Sequence, residues 1–285
     1  MICPAKLGEE AEILEFLAQY AHSSMFLRSN LLEFGLRPSD AAFSSRYWIY
    51  RVDGDIRGVF GHSKSGYLMC QCPDGPDAVW GAFAAALIGS PVAGITGPVP
   101  QIAQAQAALR FPADQIALDR IEPFYHLPLA DIAATEAAIR KPVPDDALLL
   151  RHWFRAYLVD TGMSPEAADI SEECAARAVR AIEDGKVRLL IENAAPVAMT
   201  GLNARAETTV QIGGVFVPKE FRGRGLAGRV LAAHLLELRS DGITEAVLFA
   251  ASKDAARAYE KIGFQHVGQY QMILLQAPLT YTGPA

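Results

Sequence analysis

Val215-Phe216-Val217-Pro218-Lys219-Glu220-Phe221-Arg222-Gly223-Arg224-Gly225-Leu226-Ala227 carries a β-rich run through a short basic, glycine-rich turn into an amphipathic helix. The glycines let the backbone turn tightly and come close to a ligand. The first turn of the following helix offers unpaired N–H groups and a positive dipole end, a place suited to phosphate. Lys219, Arg222 and Arg224 raise the local positive potential of a chain whose formal net charge is −6, so the local pattern is more informative than the total. Gly223-x-Gly225-x-x-Gly228 also matches the dinucleotide fingerprint literally, and Glu245 has the spacing of its ribose-binding acid. That fingerprint directly follows a parallel strand. Here Pro218 ends the strand several residues before Gly223, and the preceding pattern reads as antiparallel hairpins.

Outward from the turn, Leu226, Val230, Leu231, Leu235 and Leu238 form a helical apolar stripe that ends near Ser240-Asp241-Gly242. Upstream, residues 187–192 and 196–201 read as strands around a turn at Asn193-Ala194-Ala195, and 208–217 as the next strand. Helices are expected at 148–158 and 167–182, the latter with Asp169 and Glu172 spaced as a capping box and Gly185 beyond its end. Downstream, 245–250 reads as a strand, 254–262 as a helix and 269–275 as a last strand. The fold class that follows is α/β, with a mixed, mostly antiparallel sheet flanked by helices.

Arg222-x-x-Gly225-x-Ala227 after Val215-Phe216-Val217-Pro218, together with Ala255-x-x-x-Tyr259-x-x-x-Gly263-Phe264, resembles the signature of the GCN5-related N-acetyltransferases, the GNAT family. The resemblance spans 141–285 and implies an acyltransferase that uses acetyl-CoA and an amine acceptor. It implies that N–H groups of Phe216 or Val217 meet the pantetheine or pyrophosphate region. Those of Arg224, Gly225, Leu226 and Ala227 would close around the pyrophosphate, with Arg222 and Gly223 beside it. Tyr259 matches the family tyrosine that lies near the CoA sulfur and protonates the departing thiolate. Ser252 stands where many members carry an asparagine near pantetheine.

Acyl transfer to an amine needs a neutral nucleophile, a polarised carbonyl and a proton for the leaving thiolate. A tyrosine, with a reference pKa of about 10, serves as that donor only if it reaches the sulfur; otherwise its ring packs and its hydroxyl sits at a pocket edge. Glu207 and Gln211 are the nearest polar candidates for deprotonating the amine. Gln211 can only position groups, and Glu207 also reads as a solvated residue at a hairpin end. His234 falls on the helical face shared with Val230, as a packed histidine would. An acyl-CoA-binding sensor or scaffold without turnover is the alternative reading.

A chain of 285 residues that is 51% apolar and 20% charged supplies a core for one large domain or two ordinary ones. Two are expected, 1–140 and 141–285, joined at Pro142-Val143-Pro144-Asp145-Asp146. In the first half, 9–20 and 22–34 read as helices, and 47–52 with 56–61 as a hairpin across Asp53-Gly54-Asp55. A strand at 66–72, a helix at 78–87, a strand at 92–96 and a helix at 101–109 follow, the element order of the second half. This reads as a tandem, degenerate copy of the GNAT-like fold. Where its phosphate turn would stand, Cys72-Pro73-Asp74-Gly75-Pro76-Asp77 carries two aspartates that would repel a pyrophosphate. Its expected roles are packing and, through Phe43, Tyr47 and Trp48, one wall of the acceptor pocket, although those rings equally read as core. Gly94-Ile95-Thr96-Gly97-Pro98 reads as a strand-to-helix turn.

Cys3, Cys70, Cys72 and Cys174 form neither a disulfide framework nor a paired zinc motif, so reduced thiols and no metal are expected. The N-terminal residues lack a basic segment with a long apolar core, and no apolar run reaches membrane-spanning length. A cytoplasmic protein without membrane contact is expected. The basic turn has no continuing basic stripe, zinc module or aromatic platform, which argues against nucleic acid as a partner. The oligomeric state and the acceptor have no signature in the sequence.

Overall fold

The computed structural model describes residues 2–284. In chain order the first set of elements is β1 (Ile2–Pro4), α1 (Glu10–Ala18), α2 (Met25–Phe34), β2 (Ser45–Val52), β3 (Asp55–Ser63), β4 (Tyr67–Gln71), α3 (Asp77–Ala86), β5 (Pro91–Pro98), α4 (Val99–Leu109) and β6 (Ile116–Pro128). The second is β7 (Ile139–Arg140), α5 (Ala147–Asp160), α6 (Ser171–Glu183), β8 (Arg188–Glu192), β9 (Ala195–Ala206), β10 (Thr209–Phe216), α7 (Leu226–Ser240), β11 (Glu245–Phe249), α8 (Lys253–Glu260) and β12 (Gln265–Thr280). The two sets repeat the same order of strands and helices.

The chain packs as two compact units, one running to Glu122 and resuming at Gly268, the other Pro123–Val267. The first unit has the sheet order β1-β2-β3-β4-β5-β12, and the second β6-β11-β10-β9-β8-β7. Each set has thus exchanged its last strand. Tyr270 through Leu274 of β12 lie antiparallel to β5, and Phe124 through Pro128 of β6 lie antiparallel to β11. Gly94 permits the close contact on β5, because a Cβ there would stand 2.3 Å from the Ile273 carbonyl oxygen. The proline stretch at 142–146 lies inside the second unit, where Asp146 accepts from Val143 N–H at 2.8 Å and pairs with Arg140 at 2.6 Å.

The local signals explain most elements. Asp53 and Gly54 (φ 53° and 96°) and Asn193 and Ala194 (φ 49° and 63°) both take the left-handed pair that a tight hairpin needs. The first unit packs Trp48, Phe60, Trp80 and Phe83 with Ile273, Leu275 and Tyr281 of its borrowed C-terminal segment. The second packs α7 and α8 on the face of β10 and β11 that carries Val210, Ile212 and Leu248. Phe216 joins α5 and α6 in a separate cluster.

Some expectations differ from the structure. The helix expected at 167–182 starts at Ser171, and Asp169 accepts from Ser171 N–H at 3.1 Å, closing a local turn in place of the capping box with Glu172. The strands expected at 196–201 and 269–275 extend to Ala195–Ala206 and Gln265–Thr280. Tyr47 and Trp48 are buried in the first unit's cores, whereas Phe43 is exposed. All four cysteines are free, and Cys70, Cys72 and Cys174 are buried. Burial pushes the Cys72 thiol up to about 12, so it is an inert core residue. No helix of the described residues is long and apolar enough to cross a membrane.

Candidate functional site

β10 and β11 run parallel only through Thr209↔Glu245, Val210↔Ala246 and Gln211↔Val247, and then the ladder ends. On the other edge of β10, pairing with β9 slips after Gln211 and again between Gly213 and Phe216. Gly214 takes φ 62°, the left-handed region that favours glycine, so this irregular stretch depends on that residue. β10 thus runs on to Phe216 beyond its pairing with β11, leaving a gap in the ladder, a wedge, that leads to the glycine-rich turn.

In that turn, Lys219–Phe221 make one 3-10 turn, and Gly223 and Gly225 adopt φ 79° and 72°. Gly225 is the N-cap of α7, and its carbonyl accepts the first helical bond from Arg229 N–H at 3.1 Å. The N–H groups of Leu226, Ala227 and Gly228 therefore precede any intrahelical partner and point out of the helix end. This arrangement fits a phosphate group by geometry and sign.

The basic side chains are already engaged by carboxylates. Arg222 donates from Nε to the Val217 carbonyl at 3.0 Å, pairs through Nη2 with Asp160, and lies 6.0 Å from the centre of the Phe216 ring. It braces the turn from behind. Arg224 reaches Glu192 Oε2 at 2.6 Å, and Arg229 pairs with the other Glu192 oxygen. The hydrogen bond from Arg229, with the nearby Arg224 charge, holds the Glu192 carboxyl below its usual range. Local sequence signals missed Asp160 and Glu192 because each meets its arginine only through the tertiary fold.

Tyr259 on α8 is 6% exposed and packs in the cluster of Ile212, Leu248 and Phe264, on the α7/α8 face of the wedge strands. Ser252 is the N-cap of α8, its Oγ accepting from Ala255 N–H at 3.1 Å. Glu207 sits in the exposed β9–β10 turn with φ 52°. The length of β10 separates it from the glycine-rich turn by roughly 20 Å. Gln211 is buried at the last paired position before the strands part. Across Val247 on the same row stands His126, whose Nε2 lies 3.7 Å from Glu245 Oε2. This pair escaped sequence reading because β6 was not expected as a strand. An open depression of about 520 Å³ lies at the far end of α5 from Asp160, between Leu148, Arg151, His152 and Cys174, away from the turn.

His234 on α7 is 1% exposed. Burial, then the Arg188 charge, pushes its imidazole down to about 4, with Glu237 acting in the opposite direction. Since the unfolded value is about 6.5, the unfolded chain binds more protons between these limits. The stabilisation is present above pH 6.5 and is lost as pH falls towards 4. Urea unfolding of the second unit should show about 2 kcal/mol less stability at pH 4.5 than at pH 7 from this group, a difference missing in His234→Leu. An equal pH dependence in parent and variant would reject it.

The first unit repeats the parallel start, with Tyr67↔Gly94, Leu68↔Ile95 and Met69↔Thr96. Its turn is shorter, and side chains take one of its N–H groups and one of its carbonyls. Cys72 N–H donates to Gln101 Oε1 at 2.7 Å, and Gly75 O accepts from Trp80 Nε1 at 3.0 Å and Gln104 Nε2 at 3.1 Å.

Residues 161–272 match the family model described as acetyltransferase (GNAT) domain. Over 77 residues the chain is 35% identical to the acetyltransferase Atu2258 of Agrobacterium fabrum, covering 27% of this chain and 55% of that protein. The chain thus spans about half the length of this curated relative. Among solved structures, a Drosophila protein aligns over 96% of this chain and 98% of its own, with TM-score 0.66 and 13% identity. A GCN5-related N-acetyltransferase from Sphaerobacter thermophilus aligns over 96% and 94%, with TM-score 0.55 and 14% identity. A tandem GNAT protein from the clavulanic acid biosynthesis pathway aligns over 100% and 99%, with TM-score 0.54 and 14% identity. At such identities the likeness is one of fold: a tandem GNAT-like α/β architecture with mixed, mostly antiparallel sheets flanked by helices. The family-model match lies in the second half of the chain.

Proposed function

We propose that the chain is an N-acyltransferase that moves an acetyl group from acetyl-CoA to an amine of a small molecule or peptide. The observation that carries this reading is the wedge between β10 and β11, opening at a helix N-terminus bounded by Gly223 and Gly225 and flanked by Tyr259. Acetyl-CoA supplies a thioester, whose acyl carbon accepts an amine directly. The N–H groups of Arg224, Gly225, Leu226 and Ala227 hold the pyrophosphate, and Phe216 and Val217 orient the pantetheine along the wedge. Arg222 keeps the turn closed from behind, and Ser252 fixes the start of α8. The Tyr259 hydroxyl delivers a proton to the sulfur as the C–S bond breaks. His126, with Glu245 beside it, is better placed than Glu207 to take the amine proton, because it lies on the sheet row where the wedge begins. The first unit is read as one without CoA, since its turn is short, Gln101 takes the Cys72 N–H, and Asp74 and Asp77 oppose an anion. Four free thiols fit a reducing compartment such as the cytoplasm.

The test is incubation with acetyl-CoA and a broad amine panel, followed by mass spectrometry for free CoA and acetylated product. Product with coupled CoA release supports the transferase. Acetyl-CoA binding without product across the panel favours an acyl-CoA-binding sensor or scaffold, a reading motivated by the remote position of Glu207. Tyr259→Phe should lower kcat about 30-fold with acetyl-CoA affinity within about twofold of the parent. Unchanged turnover would remove Tyr259 from the acid role.

A further inference from the structure

Glu192 is the last residue of β8, directly before the hairpin turn in which Asn193 and Ala194 both take positive φ. Its backbone is therefore fixed by the strand and by the turn. Its side chain is 18% exposed, and each carboxylate oxygen receives one guanidinium, Oε2 from Arg224 at 2.6 Å and Oε1 from Arg229. These two arginines come from different places, Arg224 from between the glycines of the phosphate turn and Arg229 from the first turn of α7. Glu192 makes them neighbours. Their side chains remain 52% and 45% exposed, and each guanidinium keeps further N–H donors beyond the one that meets the carboxylate. Arg224 is steadied again by the Phe221 ring, 6.0 Å below it.

We propose that Glu192 is a positioning residue that holds Arg224 and Arg229 as a paired clamp for phosphate groups in the nucleotide half of acyl-CoA. The inference rests on the acyl-CoA reading of the wedge and adds a determinant of affinity to it. Two guanidinium groups and one carboxylate leave one net positive charge beside the helix end, and planar forks present donors suited to phosphate oxygens. Without Glu192 the two cations repel, and two long side chains must be ordered when the ligand arrives. The same carboxylate also opposes an incoming anion through its charge. The two effects have opposite signs, so affinity measurements separate positioning from simple electrostatics.

The experiment is calorimetric titration of the full chain with acetyl-CoA and with 3′-dephospho-acetyl-CoA, at two salt concentrations. Glu192→Ala is expected to weaken acetyl-CoA binding about tenfold and to flatten its salt dependence, although a negative charge has been removed. Glu192→Gln, which keeps acceptor capacity, should recover part of the loss. Arg229→Gln should weaken binding similarly and serves if Glu192→Ala folds poorly. If the ribose phosphate is the group held, these variants lose the parental preference for acetyl-CoA over its dephospho form; if the pyrophosphate is held, both ligands weaken alike. Either pattern supports the clamp. Parental or tighter binding in a folded Glu192→Ala would overturn it and leave a surface ion pair. A parent that binds neither ligand would instead reject the acyl-CoA reading, and the clamp with it.

Discussion

A chain ending at Val267 is expected to lose cooperative folding of its first unit while the second stays folded. The deletion removes the part of β12 that pairs with β5 from Tyr270 to Leu274. It also removes Ile273, Leu275 and Tyr281, all buried in the cluster that holds Trp48 and Trp80. Tyr281 further donates to Leu109 O at 3.1 Å, and Gln271 to Asp119 Oδ1 at 2.6 Å. Burying one large apolar side chain contributes about 1.5–3 kcal/mol, so three such losses reach about 5–9 kcal/mol. That is comparable with the whole stability of a typical domain. The chain has 3 tryptophans, and Trp48 and Trp80 lie in the first unit while Trp153 lies in the second. In a Trp153→Phe background, emission from the truncated chain should shift red and lose its cooperative urea transition. A retained blue-shifted, cooperative signal would show that the C-terminal strand is dispensable.

Gly225→Val should weaken acetyl-CoA binding at least about a hundredfold in a protein that still folds. Nothing lies within 4 Å of a Cβ built at this position, so the core does not resist the substitution. The conflict is with the backbone, since φ 72° is a region that a β-branched residue adopts at a cost of about 1–3 kcal/mol. Relaxing that strain turns the Gly225 peptide away and misaligns the N–H groups that begin α7. A side chain pointing to the open side also stands where a phosphate must approach. Gly225→Ala should show a smaller loss, because it has less bulk. Parental affinity in Gly225→Val, with an unchanged melting temperature, would show that acetyl-CoA binds without this turn.

The turn itself was legible because its determinants are adjacent in sequence. A proline that ends a strand, glycines that take positive φ and an apolar stripe of helical period lie within 215–238, and the structure forms β10, the turn and α7 there. The repeated element order was legible for the same reason. β6 was not, since Asp119, Arg120, Glu122 and Pro123 interrupt any apolar alternation along it. The capping box at Asp169 failed because the same carboxylate can accept from the N–H two residues on, and the local turn won.

The sequence alone determined the local pieces: the hairpins at Asp53-Gly54 and Asn193-Ala194, the glycine-rich turn, the helices with their buried faces, and the tandem order. Their signals act over a few residues, through backbone sterics and side-chain period. Only the tertiary structure decided that β12 completes the first sheet and β6 the second, because both end equivalent element series and each lies antiparallel to its neighbour, so local pattern does not choose between them. It alone gave Arg222 to Asp160 and Arg224 with Arg229 to Glu192. Such pairings depend on distance in space between residues far apart in the chain, which no local spacing encodes.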